Sequence, residues 1–217
     1  MISHFFDSWS RQLAIKLDAW LIAKGYVPER QQVRDENEHN GRIIVITGEM
    51  FSGKTEELIR LVRRNVFAKV SFATFKPRRD TRESGLVKCR NGHHLEAIEV
   101  GDSKEILRHI VAHPEIRVVG VDEAQFFDEG IVEVLRTLAD IRHITVIVAG
   151  LDMDFEGKPF GPVPGLMAIA SEVRKVHAVC VECGRTAAYS RRKVPDTAQI
   201  VVGYDGYEAV CRAHRSF

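Results

Sequence analysis

The sequence has almost no net charge: thirty-one Lys plus Arg stand against thirty Asp plus Glu, a formal charge of +1 over 217 residues. No global pull toward nucleic acid or an anionic membrane is available, so any anion must be bound by a local arrangement of groups. A long apolar run is also missing. The longest, Ile144 to Leu151, is interrupted by Thr145 and falls far short of the about 20 residues needed to span a bilayer, which excludes a membrane-spanning helix. The opening MISHFFDSWSRQ carries acidic and aromatic residues where a secretory signal has basic residues followed by a continuous apolar stretch. The expected location is the cytoplasm. Cysteine is scarce, with four in the chain. Two disulfides could be built from them, but the spacing of three with a histidine fits a metal site in a reducing compartment better. No internal repeat or low-complexity segment is present. At 45% hydrophobic and 28% charged residues, the chain is long enough for one full core and a smaller appendage.

What is present begins with GEMFSGKT, Gly48 to Thr55, which fits the phosphate-binding pattern G-x-x-x-x-G-K-[ST]. The apolar run Ile43 to Ile46 upstream reads as a buried strand, and Leu58, Ile59, Leu61 and Val62 place one apolar face on a helix opening at Thr55. In that context Gly48 and Gly53 let the backbone approach phosphates, and the amides of Glu49, Met50, Phe51 and Ser52 complete the cradle. Lys54 reaches the outer phosphates, and the Thr55 hydroxyl takes a Mg²⁺ position.

Three organisational parts are expected: residues 1–40, 41–172 and 173–217. The first is an amphipathic helix, with Ile2, Phe5, Phe6, Trp9, Leu13, Leu17, Trp20 and Leu21 on one face, ending near Gly25 and followed by the polar linker Pro28 to Gly41. Its apolar face calls for cover by the body of the protein or a second copy. In the second, Val70 to Phe75 is a strand candidate, Lys76 to His94 a long basic loop, Leu95 to Val100 a short strand and Ser103 to His113 a helix. Ile116 to Val121 forms a further strand, Ile131 to Leu138 a helix and Ile144 to Ala149 a strand. Strands alternating with helices predict an α/β fold with a mostly parallel sheet covered on both faces and ligands at the strands' carboxyl ends.

The strand before Asp122 and Glu123 ends in two carboxylates. Asp122 suits Mg²⁺, directly or through water. Adjacent strand residues point to opposite faces, so both acids serve one site only if the backbone turns there, and Ala124 and Gln125 fit such a turn. Glu123 could then take a proton from a substrate hydroxyl, as in a kinase, or orient water, as in an ATPase. Farther on, Cys180 and Cys183 form C-x-x-C, and Cys211 and His214 form C-x-x-H. Two short chelating pairs are the ligand pattern of a tetrahedral structural Zn²⁺, which a segment this short needs in place of a core. Cys89 is left over as an ordinary thiol, and His93 and His94 as solvated loop residues.

Six stretches in order, GEMFSGKTEELIR, KPRRDTR, VDEAQFF, GLDMDFEGKPFG, CVECGRTAAYSRR and GYEAVCRAH, resemble the thymidine kinases of the zinc-containing type found in bacteria and the animal cytosol. The resemblance covers Arg42 to His214. It implies a P-loop core of RecA-like type, a small zinc-ribbon-like domain carrying a lasso over the nucleoside, ATP with Mg²⁺ and thymidine as substrates, and a homotetramer. It makes Glu123 the general base on the 5′-hydroxyl and puts Asp80, Arg82 and Gln125 at the nucleotide, with Lys54 and Arg82 catalytic and Arg192 assisting. Met50, Phe126, Leu151, Phe155, Phe160 and Tyr207 are implied to line the thymidine site, with Gln199, Ile200, Val201, Val202 and Gly203 as the lasso whose backbone meets the base. Glu49 departs from the family, which has a small or proline residue there; it brings a negative charge near the phosphates unless it points away. The stretch between Gly203 and Tyr207 is one residue shorter than usual, and residues 1–40 have no counterpart.

Two other readings fit the same features. One is a nucleoside kinase with shifted base preference, for which purines would need a larger pocket than Phe155 and Tyr207 suggest. The other is a nucleotide-gated binding protein whose zinc domain holds nucleic acid. The last forty-six residues carry eight Lys plus Arg against five Asp plus Glu, too small an excess for tight backbone binding, so no stable nucleic-acid partner is expected.

Overall fold

The computed structural model describes residues 41–193 and 206–215; the expected N-terminal helix and its linker lie outside the described residues. The sheet follows from the apolar runs. Strand β1 (Arg42–Thr47) is buried from its second residue on, as a central parallel strand covered on both faces must be. It pairs with β7 (Thr145–Gly150) on one side and β8 (Glu172–Lys175) on the other. Beyond β7 come β6 (Val118–Val121), β2 (Phe72–Pro77) and β5 (Ile98–Val100), giving the order β5-β2-β6-β7-β1-β8 with every pairing parallel.

Alternation along the strands divides the core into two layers. Ile43 and Val45, with Val119, Val121, Val146 and Val148, face α2 (Ser103–Ala112), α3 (Ile131–Asp140) and α4 (Val163–Ile169). Ile44 and Ile46, with Val118, Ile147 and Ala149, face Leu58, Ile59, Leu61 and Val62 of α1 (Lys54–Phe67). Helix α2 starts at an Asp102 cap, whose carboxylate accepts the Glu105 N–H at 2.9 Å. Asp128 accepts the Ser103 N–H and hydroxyl, both at 2.8 Å, tying that start to the turn before α3. Among the described residues, no helix is long and apolar enough to cross a membrane.

The stretch from Lys76 to Val100 differs from expectation. Leu95 to Val100 is two strands rather than one: β4 (His94–Glu96) pairs antiparallel with β3 (Leu86–Lys88) in a separate ribbon, while β5 joins the main sheet beside β2. The basic loop is also less open than its composition suggests. Lys76 is 1% exposed, with its ammonium 3.0 Å from Asp80 and donating to the carbonyls of Glu83 and Leu86. Helix α4 and edge strand β8 were not foreseen. The first is short and opens on Pro162, and the second alternates half-buried with exposed residues, EVRK, so neither carries a strong apolar period.

Removing one partner of a buried ion pair leaves an uncompensated charge, at a cost of about 3–5 kcal/mol. Lys76→Met should therefore lower the free energy of unfolding by about 3 kcal/mol, measured by urea denaturation. Burial pushes the Asp80 carboxyl up, but Arg82 and Lys76 together outweigh it and hold it below the usual range. Its contribution to stability is thus present above the unfolded value of about 3.9 and lost as pH falls through the lower folded value. In Lys76→Met the folded value rises toward the unfolded one, so this acid-dependent loss should be smaller and complete at higher pH.

Candidate active site

The chain leaves β1 at Thr47 and turns through a loop that only particular residues permit. Gly48 has φ +141°, and a Cβ there would lie 2.0 Å from the Val176 carbonyl. Phe51 and Gly53 are left-handed, with φ of 68° and 86°, and α1 begins at Lys54. The Lys54 ammonium donates to the Glu49 carbonyl at 2.8 Å and the Ser52 hydroxyl to the same oxygen at 2.7 Å. Burial holds the Lys54 pKa below its ordinary value, against the charges of Glu123, Asp122, Glu49 and Asp152. A phosphate would supply a further anionic partner for this half-buried cation.

The Thr55 hydroxyl stands 3.3 Å from both oxygens of Asp122. Burial first, then the neighbouring Glu123 carboxylate, push the Asp122 carboxyl up to about 7. A hydroxyl facing a carboxylate is an all-oxygen donor set that fits Mg²⁺, which keeps several waters and takes few protein ligands. Glu123 is left-handed, with φ 52°, and this turn lets the second acid serve the same hollow as the first. One Glu123 oxygen pairs with Arg82 and the other accepts the Gln125 amide at 2.5 Å. Arg82 Nε reaches Asp80 at 2.5 Å, and Gln125 Oε1 accepts the Leu151 N–H at 3.0 Å.

A cavity of about 240 Å³ joins these groups, running from Met50, Glu123 and Leu151 past Arg82 and Lys54 to Lys88, Cys89, Arg90 and Asn91 of the β3–β4 ribbon. The four ribbon residues were not anticipated as part of the site. Cys89 is a free thiol in the connection between β3 and β4, as expected, but it is buried, its Sγ 2.6 Å from Asn91 Oδ1 and 3.1 Å from the His93 carbonyl, and it also walls the cavity. The Arg90 guanidinium lies 4.2 Å from the centre of the Phe51 ring. His93 and His94 are exposed.

In the C-terminal segment, one ligand atom from each of Cys180, Cys183, Cys211 and His214 lies within 4.8 Å of the others. Cys183 Sγ is 3.8 Å from Cys211 Sγ, and His214 Nδ1 is 3.3 Å from Cys211 Sγ and 3.6 Å from Cys180 Sγ. A tetrahedron with Zn–S bonds of about 2.3 Å has edges of about 3.8 Å, so the four fit a closed structural zinc site. Burial raises the Cys180 thiol, but the N–H groups of Cys211, Glu182 and Cys183 and the His214 side chain outweigh it and bring it down to about 6. The thiolate that binds zinc is thereby favoured. Strands β9 (Tyr189–Arg192) and β10 (Tyr207–Val210) pair antiparallel between the chelating pairs.

A sequence model described as thymidine kinase matches residues 41–215. A thymidine kinase of Bacteroides thetaiotaomicron is 50% identical over 179 residues, covering 82% of this chain and 88% of its own. One of Porphyromonas gingivalis is 49% identical over 184 residues with the same coverage. The chain belongs to the thymidine kinase family.

The residues implied by the thymidine kinase resemblance to line the nucleoside site occupy several places. Met50 and Leu151 line the cavity. Phe126 and Phe160 meet edge to face with centres 6.0 Å apart, and Phe160 is buried. The two segments carrying them are closely fitted: at Gly161, φ +51°, a Cβ would lie 2.5 Å from the Gln125 carbonyl. Phe155 lies under the Arg192 guanidinium at 3.6 Å, and Arg192 donates to the Tyr207 hydroxyl at 2.7 Å. Gln199, Ile200, Val201, Val202 and Gly203 lie outside the described residues.

Metal analysis of the purified protein should give one zinc per chain, and Cys183→Ser should lose it, because three ligands hold a closed site far more weakly than four. Full zinc content in the variant would contradict the assignment.

Proposed function

We infer that this chain transfers the γ-phosphoryl group of ATP to the 5′-hydroxyl of thymidine, with Glu123 as the base. The observation that carries this reading is a single cavity lined by the Lys54 ammonium, the Thr55 hydroxyl, Arg82 and the Glu123 carboxylate, with the buried Asp122 carboxylate facing Thr55. Family membership supports the substrate pair.

The chain's own groups have separable tasks. The loop amides and Lys54 bind the phosphates, and the low local dielectric strengthens each contact. Thr55 and Asp122 would hold Mg²⁺, which supplies charge neutralisation at the β- and γ-phosphates. Glu123 is oriented by Arg82 and Gln125, so its carboxylate has a fixed direction before the nucleoside arrives. As the 5′-oxygen forms its bond to phosphorus and the bridging bond to ADP breaks, Glu123 takes the hydroxyl proton. Arg82 lies between Asp80 and Glu123, within reach of a role at the transferring group. Met50, Phe126, Leu151, Phe155, Phe160 and Tyr207, with the lasso at Gln199 to Gly203, form the pyrimidine site in this reading, since a flat base needs aromatic walls and a few fixed donors and acceptors.

The same reading extends to organisation. A nucleotide-binding core is followed, after β8, by a metal-bearing module, and the protein works in the cytoplasm as a homo-oligomer, a tetramer by family resemblance. Val66 and Phe67 at the end of α1 are 52% and 88% exposed, an apolar tip that a second copy would cover.

Glu123→Gln should bind thymidine and ATP with little change but slow a single turnover by about 10²–10⁴-fold, because the nearly isosteric amide cannot accept the proton. Asp122→Asn should instead weaken use of the Mg²⁺ nucleotide. Equilibrium titration followed by rapid-quench kinetics separates the two. Turnover of Glu123→Gln within about threefold of the parent would remove Glu123 from the role of base, since positioning can dominate in a loose phosphoryl transfer.

A further inference from the structure

Glu49 is the least expected residue of the phosphate loop. Its side chain is 1% exposed and is absent from the cavity lining. One carboxylate oxygen accepts the Ala178 N–H at 2.5 Å and the other lies 3.3 Å from His177 Nδ1. The carbonyl of the same residue accepts from Lys54 and Ser52. One end of Glu49 therefore holds the segment leading into the metal-bearing module, while the other holds the loop lysine.

The neighbouring residues repeat this attachment. The Met50 N–H donates to the Ser190 hydroxyl in β9 at 2.9 Å, and Phe51 packs with Ala178, Ala187 and Ala209. Just before them, the Val176 N–H donates to the Thr47 carbonyl at 2.9 Å. A carboxylate withdrawn from water needs fixed donors, so any slip between the loop and residues 177–178 would leave it unsatisfied.

We propose that Glu49 is a positioning residue that braces the phosphate loop against the metal-bearing module, so that nucleotide and thymidine raise each other's affinity. This rests on the functional reading given above. A triphosphate in the loop engages Lys54, whose ammonium lies on the Glu49 carbonyl. Thymidine beneath the module fixes the segment that the Glu49 carboxylate holds. Each ligand restrains one end of the same residue, and by linkage the effect must be reciprocal.

The test is calorimetric titration of thymidine into the full-length, zinc-loaded protein, with and without saturating Mg²⁺ and an imido analogue of ATP that cannot transfer its phosphoryl group. The parent should bind thymidine at least about fivefold tighter with the analogue present, the lower end of ordinary coupling. Glu49→Gln keeps an oxygen acceptor for the Ala178 N–H and should retain that ratio within about twofold, whereas in Glu49→Ala it should fall toward one with zinc content unchanged. A merely structural loss would lower the melting temperature without removing the ratio. If Glu49→Ala does not fold, Ser190→Ala, which removes the Met50 anchor, should reduce the ratio by about half, and an unreduced ratio there would overturn the brace. A parent ratio of one, a full ratio in Glu49→Ala, or a Gln variant that behaves like Ala would each overturn it as well. A parent that does not bind thymidine at all overturns the functional reading and the brace with it; thymidine binding with a ratio of one overturns the brace alone.

Discussion

A lysine ammonium buried at the end of β2 sets the terms for the acids beside it. An isolated charge there would cost several kcal/mol, so Lys76 requires a fixed anion close by. Asp80 supplies it at 3.0 Å, and its other oxygen passes the interaction to Arg82, which reaches Glu123 at the end of β6. Because β2 and β6 are adjacent, with Phe75 opposite Val121, this chain of charges crosses between neighbouring strand ends. It fixes the direction of Glu123 from one side, while Gln125, bound to the Leu151 backbone, fixes it from the other.

The site is built from the carboxyl ends of five parallel strands, as expected where ligands sit at one edge of such a sheet. From β2 come Lys76, Asp80 and Arg82; from β6, Asp122 and Glu123; from β7, Leu151 and Asp152. The phosphate loop follows β1, and the segment that grips it, Val176 to Ala178, follows β8. Strand β7 lies between β1 and β6, which leaves room for a phosphate between the loop and the two acids. Two of the four described non-glycine residues with left-handed φ, Phe51 and Glu123, fall in the same region. At Glu123 that conformation overcomes the alternation that would otherwise send two adjacent acids to opposite faces.

The parts legible in the sequence were those whose chemistry depends on short, fixed spacing. The loop is readable from Gly48, Gly53, Lys54 and Thr55, and the metal cluster from the pairs Cys180–Cys183 and Cys211–His214, because the loop and each chelating pair must converge within a few residues. The central strands were equally plain, since burial on both faces writes a continuous apolar run. Lys76 was not legible: a buried lysine has the same letter as a solvated one, and its partner Asp80 gains meaning only when the turn is formed. Cys89, Arg90 and Asn91 were hidden for a related reason, because the short ribbon carrying them acquires a role only by lying beside the loop. Strand β8 stayed unread because an edge strand with alternating exposure looks like polar connecting chain. The departure at Glu49 was visible as a letter, but the direction of its side chain depends on Ala178, far away in sequence.

Paired carboxylates beside a phosphate loop suit hydrolysis as readily as transfer to a nucleoside, so the acceptor is the point on which this account turns. Membership of the thymidine kinase family is what points to thymidine as the acceptor. Coupled measurement of ADP formation with Mg²⁺ and ATP, in the presence and absence of thymidine, tests this most directly. The account predicts ADP release that depends on thymidine and matches thymidine monophosphate mole for mole. An equal rate of ADP release without thymidine would contradict it.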